Sequence, residues 1–248
     1  MASSSIKRAI QKKLQSVSSM KTKRWFEAYL KHVIEYRGVK MPQVRECTFE
    51  VVDAHDGGEA ELRTAALALL RESYAEDKLS GMFILNEKIS RFKPSDIDTL
   101  GEIFDQGFVY DWSTCDYLCL RVLSRIAQDT GEYHRFAEWK EANDKWKKRA
   151  ACVTFIKLVG SDQAFDDALI LDVCQTLTAS TWRFHGTAVG WMLREMIKTP
   201  RSKPKAMTFI EQNYQSFTSE VLTSALRHCE LERKKYQRMK KKRKNIAD

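Results

Sequence analysis

The sequence predicts an all-α protein, an α-solenoid of helix pairs, and three observations carry that reading. The 248 residues include only 10 Gly and 4 Pro, too few to punctuate a sheet protein with turns. Strict alternation of apolar and polar residues is scarce, whereas apolar residues recur at helical spacing in segment after segment. Those segments number about a dozen and are joined by short connections, so they group into roughly six antiparallel pairs of ~40 residues. A compact helical bundle satisfies the same pattern and is the alternative architecture.

Ile6, Ile10, Leu14 and Val17 mark a first helix. Trp25 to Tyr36 reads as a second, ended by Gly38 and followed by Pro42 at the start of a third, which continues over Val44 to Val52. Gly57-Gly58 makes a loop, and Glu61 to Tyr74 is helical with Leu62, Ala65, Ala66, Leu69 and Leu70 on one face. Leu79 to Phe92 follows, and Pro94-Ser95 opens Asp96 to Asp105.

The next segment is Val109 to Ile126. Cys115, Leu118, Cys119, Val122, Leu123 and Ile126 form its apolar stripe. Asp116 lies about 100° off that stripe, at the edge of the core, with Trp112 one turn before it. Ser113 or Thr114 is the expected cap, which places Asp116 in the first turn, where free N–H groups favour a carboxylate. A capping box, Ser113 to Asp116, accounts for the same residues without any function. Beyond it lie helices over Glu132–Glu141, Trp146–Val159, Phe165–Leu177, Phe184–Ile197, Lys203–Gln212 and Thr218–Glu232. Paired at this period, without sheet, the helices are HEAT-like, and such solenoids curve to bind extended partners on a concave face. The expected organisation is one domain over 1–232 and a disordered basic tail over 233–248.

The net charge is +9, but it sits at the ends. Residues 1–26 hold seven Lys or Arg and no acid, and Arg233 to Lys244 hold nine. That leaves 26 basic against 32 acidic groups between Glu27 and Glu232, a net of −6. A nucleic-acid surface must then be a local basic face plus the two ends. The six Cys form no C-x-x-C pair and mostly lie on apolar faces, as buried thiols of a reducing compartment do. The five His lack ligand spacing, so no zinc or other metal is expected. No apolar run reaches the ~18 residues of a membrane span. Phosphate-binding Gly-rich loops, G-x-S-x-G elbows and H-E-x-x-H are also missing, which removes nucleotide cofactors and the common esterase and metalloprotease readings.

Four more positions break their helix patterns. Trp191 sits about 200° from the stripe of His185, Ala188, Val189, Met192, Leu193 and Met196. Arg149 has no acid at i±3 or i±4, which leaves it available for phosphate. Tyr29 lies in an aromatic and basic helix with Lys31 and His32, and Trp182 with Arg183 precedes the Trp191 helix. Each has a plain alternative: Trp191 at a repeat interface, Arg149 as a solvated helix residue, Tyr29 as core.

Together these residues carry a family resemblance. W-x-x-x-D at Trp112 and Asp116, W-x-x-R-A-A from Trp146 to Ala151 and A-V-G-W-M-L-R-E from Ala188 to Glu195 resemble the AlkD-type DNA alkylation repair glycosylases. Tyr29, Gly38, Pro42 and Arg45 are similar to that family's N-terminal segment, and the likeness runs from about Ile6 to Glu230. It also accounts for the Ser-rich N-terminus, which otherwise resembles a transit peptide. The resemblance implies a concave face holding duplex DNA with an N3- or N7-alkylated purine. It makes Asp116 the catalytic carboxylate, places Trp112 and Trp191 against the lesion sugar, and gives Arg149 the backbone and Tyr29 the aromatic rim. Lys148, Arg183 and Arg194 are the expected further DNA contacts. Thr187 departs from the family pattern, where Lys is frequent before A-x-G-W, and loss of that cation is expected to weaken a backbone contact.

The reading is a monofunctional glycosylase with no cofactor, acting as a monomer on alkylated duplex DNA. Its expected location is intracellular: nuclear in a eukaryote on account of the basic tail, otherwise cytoplasmic. A non-catalytic DNA-binding or damage-sensing solenoid and a protein-interaction scaffold are the alternatives.

Overall fold

A computed structural model describes residues 2–160 and 166–247. Among these there is no β-strand; one isolated bridge pairs Glu35 with Tyr74. The all-α class read from the composition therefore holds, consistent with an α-solenoid. The chain divides into two compact units, Met1–Gly131 and Glu132–Asp248.

The first unit runs through α1 (Ala2–Ser16), α2 (Met20–Tyr29), α3 (Met41–Asp53), α4 (Glu59–Leu70), α5 (Ala75–Lys88), α6 (Ser95–Asp105), α7 (Trp112–Leu118) and α8 (Ser124–Thr130). A π-helical turn, Cys119–Leu123, joins α7 to α8. Ile6, Ile10 and Leu14 of α1 are buried where it packs on α3 and α4. The six apolar residues of the stripe from Cys115 to Ile126 are all buried.

The helix expected over Trp25 to Tyr36 ends instead at Tyr29, and Lys31 and His32 follow with φ of +54° and +57°. The cause is tertiary. Buried Glu76 accepts hydrogen bonds from the backbone N–H groups of Arg37 (2.8 Å), Gly38 (2.8 Å) and Val39 (2.9 Å). Glu27 takes the N–H of Tyr36 (3.2 Å). These carboxylates replace the carbonyls that a longer helix would have supplied. Gly38 is required here: its φ is +95°, and a Cβ would lie 2.2 Å from the carbonyl oxygen of Ser19.

α5 starts earlier than its apolar stripe suggests because its first turn buries charge. Asp77 pairs bidentately with Arg37 (2.8 and 2.7 Å) and also accepts from Gln11 (2.9 Å). Lys78 donates to the carbonyls of Leu70 (2.9 Å) and Phe108 (2.7 Å), fastening the end of α4 to the approach to α7.

The second unit comprises α9 (Tyr133–Glu138), α10 (Lys145–Val153), α11 (Ile156–Val159), α12 (Asp167–Thr178), α13 (Arg183–Lys198), α14 (Lys203–Asn213), α15 (Ser219–Ala225) and α16 (Glu230–Ala247). Trp139–Glu141 forms a tighter 3-10 turn after α9. The single helix expected over Trp146–Val159 is broken between α10 and α11 at Thr154 and Phe155, and Phe155 is buried there. Phe165, expected to open the next helix, lies outside the described residues.

Gly190 lets α13 and α15 meet, since a Cβ there would lie 2.9 Å from that of Ser224. The helix expected over Thr218–Glu232 stops at Ala225, and the chain restarts as α16. Residues 233–248, expected as a disordered tail, are thus helical through Ala247. Tyr236 is buried against Tyr214 (5.2 Å between rings), and Lys240 donates to the carbonyls of Gln215 (2.7 Å) and Phe217. An apolar anchor and two backbone acceptors hold a segment whose charge alone would keep it solvated.

Among the described residues no helix is long and apolar enough to cross a membrane, and no cluster of His, Cys, Asp and Glu could hold a metal.

Burial lowers the Lys78 ammonium from 10.5 to about 8. Between those two values the unfolded chain holds a proton that the folded chain has released, so stability from this group rises with pH across that window. Lys78→Met should flatten that rise relative to wild type in urea unfolding at stepped pH. Stranding the carbonyls of Leu70 and Phe108 should also cost about 1–3 kcal/mol each. Parallel pH profiles would contradict the assignment.

Candidate functional site

In the first unit, Asp111 begins the site. Its carboxylate caps α7, with Oδ1 accepting from the N–H groups of Ser113 (2.9 Å) and Thr114 (3.0 Å) and from the Ser113 hydroxyl (2.5 Å). The cap is therefore not Ser113 or Thr114, and Asp116 is not the partner in a capping box. It lies past the first turn of α7, half-buried, one turn after half-buried Trp112. The D-x-S/T run is itself a legible cap signal, because Asp accepts from N2 and N3 as readily as Ser does.

Beneath Trp112 is a core of Leu30, Ile34, Tyr36 and Ala75, joined by Phe26 and Tyr110. Burial pushes the Tyr36 phenol up to about 12, against the effect of its hydrogen bond with Ser113. Asp111 Oδ2 is buried without a hydrogen-bond partner, and its charge acts on Lys78.

Tyr29 stands edge-on to Trp112 (6.1 Å, 69°), so the structure brings these two expected residues together. Trp25, which the sequence pattern does not set apart from an ordinary helix residue, stacks parallel on Tyr29 (5.5 Å, 3°). Both are largely open to solvent, at 61% and 59%.

In the second unit, α10 and α13 pack on one another, and their first turns share an aromatic cluster. Trp146 meets Trp182 (4.8 Å) and Phe184 (5.1 Å), and Trp182 meets His185 (4.6 Å). His185 bridges the helices. Its Nε2–H donates to the Lys145 carbonyl (2.9 Å), and Nδ1 accepts from the Ser180 hydroxyl (2.8 Å). Desolvation first, then nearby Lys148, Arg149 and Lys145, lower its pKa against the raising effect of the Lys145 carbonyl.

Arg149 corrects a second expectation. It is buried, not solvated, and donates to the Phe184 carbonyl and to Thr187 Oγ1 (3.1 Å). Thr187 donates in turn to Phe184 O (3.2 Å). Trp191 is half-buried on α13, on the side away from the stripe, every member of which is buried. Of the other expected contacts, exposed Arg183 forms a fork with Glu220 (2.9 and 2.5 Å), and Arg194 pairs with Glu195 (3.1 Å). Lys148 is half-exposed and makes no ion pair among the described residues.

The sequence model of the DNA alkylation repair enzymes matches residues 10–229. The chain belongs to the DNA alkylation repair enzyme family. The match covers α2, α7, α10 and α13 and ends just before α16. Among solved structures, a predicted DNA alkylation repair enzyme from Enterococcus faecalis shares the fold, with a TM-score of 0.74 at 16% identity. That alignment covers 86% of this chain and 96% of the other. Comparison with curated proteins finds no match.

In this family member, Asp111→Ala should destabilise the first unit by about 0.5–2 kcal/mol through loss of the cap. Urea unfolding followed by Trp fluorescence measures this, and an unchanged midpoint would show that α7 is held by packing alone.

Proposed function

We propose that this DNA alkylation repair family member is a monofunctional glycosylase that hydrolyses the N-glycosidic bond of N3- or N7-alkylated purines in duplex DNA. The observation that carries the reading is the pairing of Trp112 with Asp116 on α7, both partly exposed, beside the exposed ring of Tyr29.

Alkylation at N3 or N7 makes the purine a cation. When the C1′–N bond breaks, its electron pair neutralises that ring, so the leaving group needs no general acid. Positive charge develops on the deoxyribose, as in glycoside hydrolysis. The Asp116 carboxylate stabilises that oxocarbenium ion and orients the water that attacks C1′, and the water's proton passes to solvent. Trp112 adds cation–π attraction of about 0.5–2 kcal/mol. For the second unit the family resemblance assigns Trp191 to the lesion sugar and Lys148, Arg149, Arg183 and Arg194 to the phosphates. Arg183 reaches phosphate by exchanging its carboxylate partner Glu220, a small cost for a pair at the surface.

A damage-binding protein without the reaction is the second reading. It is favoured by the engagement of Arg149 with Phe184 and Thr187, which holds that guanidinium within the fold. Release of free base from methylated duplex DNA separates the two. Asp116→Asn should bind like wild type yet release base at least about a hundredfold more slowly. Release at the wild-type rate by the folded variant would remove Asp116 from the chemistry. Binding without release by wild type would establish the second reading.

α16 lies beyond the family match and exposes Lys234, Lys235, Arg238 and Lys241. Changing these four to Gln should lower the slope of log K against log[salt] by about 0.9 for each phosphate that is no longer neutralised. Base release at saturating DNA should persist. An unchanged slope would exclude α16 from the DNA interface.

A further inference from the structure

α2 has no buried residue, which is unusual for a helix inside a packed unit. Its exposed positions are not scattered. Lys21, Arg24, Trp25, Ala28 and Tyr29 are all exposed or half-exposed and follow one another at i, i+3, i+4, i+7 and i+8. They form a single stripe about 140° wide at 100° per residue. The two acidic residues nearby stay off it: Glu27 pairs with Lys23 (3.6 Å), and Glu35 lies in the bridge to Tyr74. Among the described residues, Lys21, Arg24 and Lys31 make no ion pair. Unpaired cations and solvent-exposed rings thus share a face whose aromatic end stacks from Trp25 to Tyr29 and meets Trp112 edge-on.

We propose that this α2 stripe is a DNA-contact surface in its own right, in which Lys21 and Arg24 neutralise phosphates flanking the lesion and Trp25 packs on a neighbouring deoxyribose. The inference deepens the glycosylase reading and rests on it for the word lesion; the contact itself requires only DNA. Two features of the stripe choose nucleic acid over a protein partner. Its cations are uncompensated, so an electrically neutral apolar partner would have to desolvate them. Its rings also adjoin those cations on one face, Arg24 next to Trp25, so a phosphate and the sugar beside it can be met together.

Lys21 and Arg24 act through charge and Trp25 through contact area, so the two kinds of substitution have different readouts. Lys21→Gln with Arg24→Gln should lower the salt slope of duplex binding by about 2, at 0.9 per phosphate. The loss should be equal for unmodified and methylated DNA. Trp25→Ala should weaken binding about tenfold with its salt slope unchanged, and Trp25→Phe should restore most of that loss. All three positions lie on the open side of the helix, so thermal unfolding of the variants should match wild type. Single-turnover base release at saturating DNA should stay within about threefold of wild type, because none of the three reaches the reacting atoms.

Wild-type affinity and slope in both variants would overturn the proposal. A change of oligomeric state in Trp25→Ala with DNA binding intact would also overturn it, in favour of a protein interface. If wild type binds DNA without releasing base while the α2 variants lose affinity, the stripe stands and the glycosylase reading falls. If base is released and the α2 variants bind normally, the reverse holds.

Discussion

The first unit depends on one buried carboxylate. Glu76 gathers three consecutive backbone N–H groups, those of Arg37, Gly38 and Val39, at hydrogen-bond distance. A buried charge with three donors is tolerated because each donor offsets part of its desolvation, whereas the same charge with none would titrate or unfold the site. The clamp fixes the loop between α2 and α3, and that loop carries Ile34 and Tyr36 into the core under Trp112. Asp77 and Lys78, the next two residues, extend the arrangement to α1 and to the ends of α4 and of the segment before α7. The aromatic face of α2 and the carboxylate of α7 are therefore positioned by the polar first turn of α5.

In the second unit the corresponding constraint is the junction of α10 and α13. His185 accepts from the loop before α13 and donates to the start of α10, while Arg149 reaches from α10 to the first turn of α13. Thr187 gains meaning from this contact. A Lys at that position would set a second cation against the Arg149 guanidinium, and the two would repel unless an anion lay between them. A threonine hydroxyl accepts from Arg149 instead.

What is legible in the sequence is what repeats. The stripes from Cys115 to Ile126 and from His185 to Met196 are buried throughout, since periodicity reports which side of a helix faces the core. What is not legible is tertiary. Nothing local tells that residues 30 to 36 leave the helix, because Glu76, which holds the chain just beyond them, is about forty residues away in sequence. Arg149 reads as available from its helical neighbours alone, and its acceptors lie on another helix. The tail reads as disordered because its charge dominates, whereas the buried ring of Tyr236 and the two carbonyls that accept from Lys240 hold it in place. Trp25 is hidden for the opposite reason: an aromatic residue in a helix reads as core until its exposure is seen.

The π-helical turn from Cys119 to Leu123 separates two anchored segments. α7 is set by the Asp111 cap at its start, and α8 by Arg125, which donates to the carbonyls of Asn86, Ile89 and Ser90 at the end of α5. A π turn advances by a smaller angle per residue than an α turn, so over five residues the phase slips by roughly a quarter turn. The extra residue held in that turn works as a phase adjuster: it lets the cap that sets α7, and Asp116 with it, coexist in one continuous run with the Arg125 bridge to the end of α5.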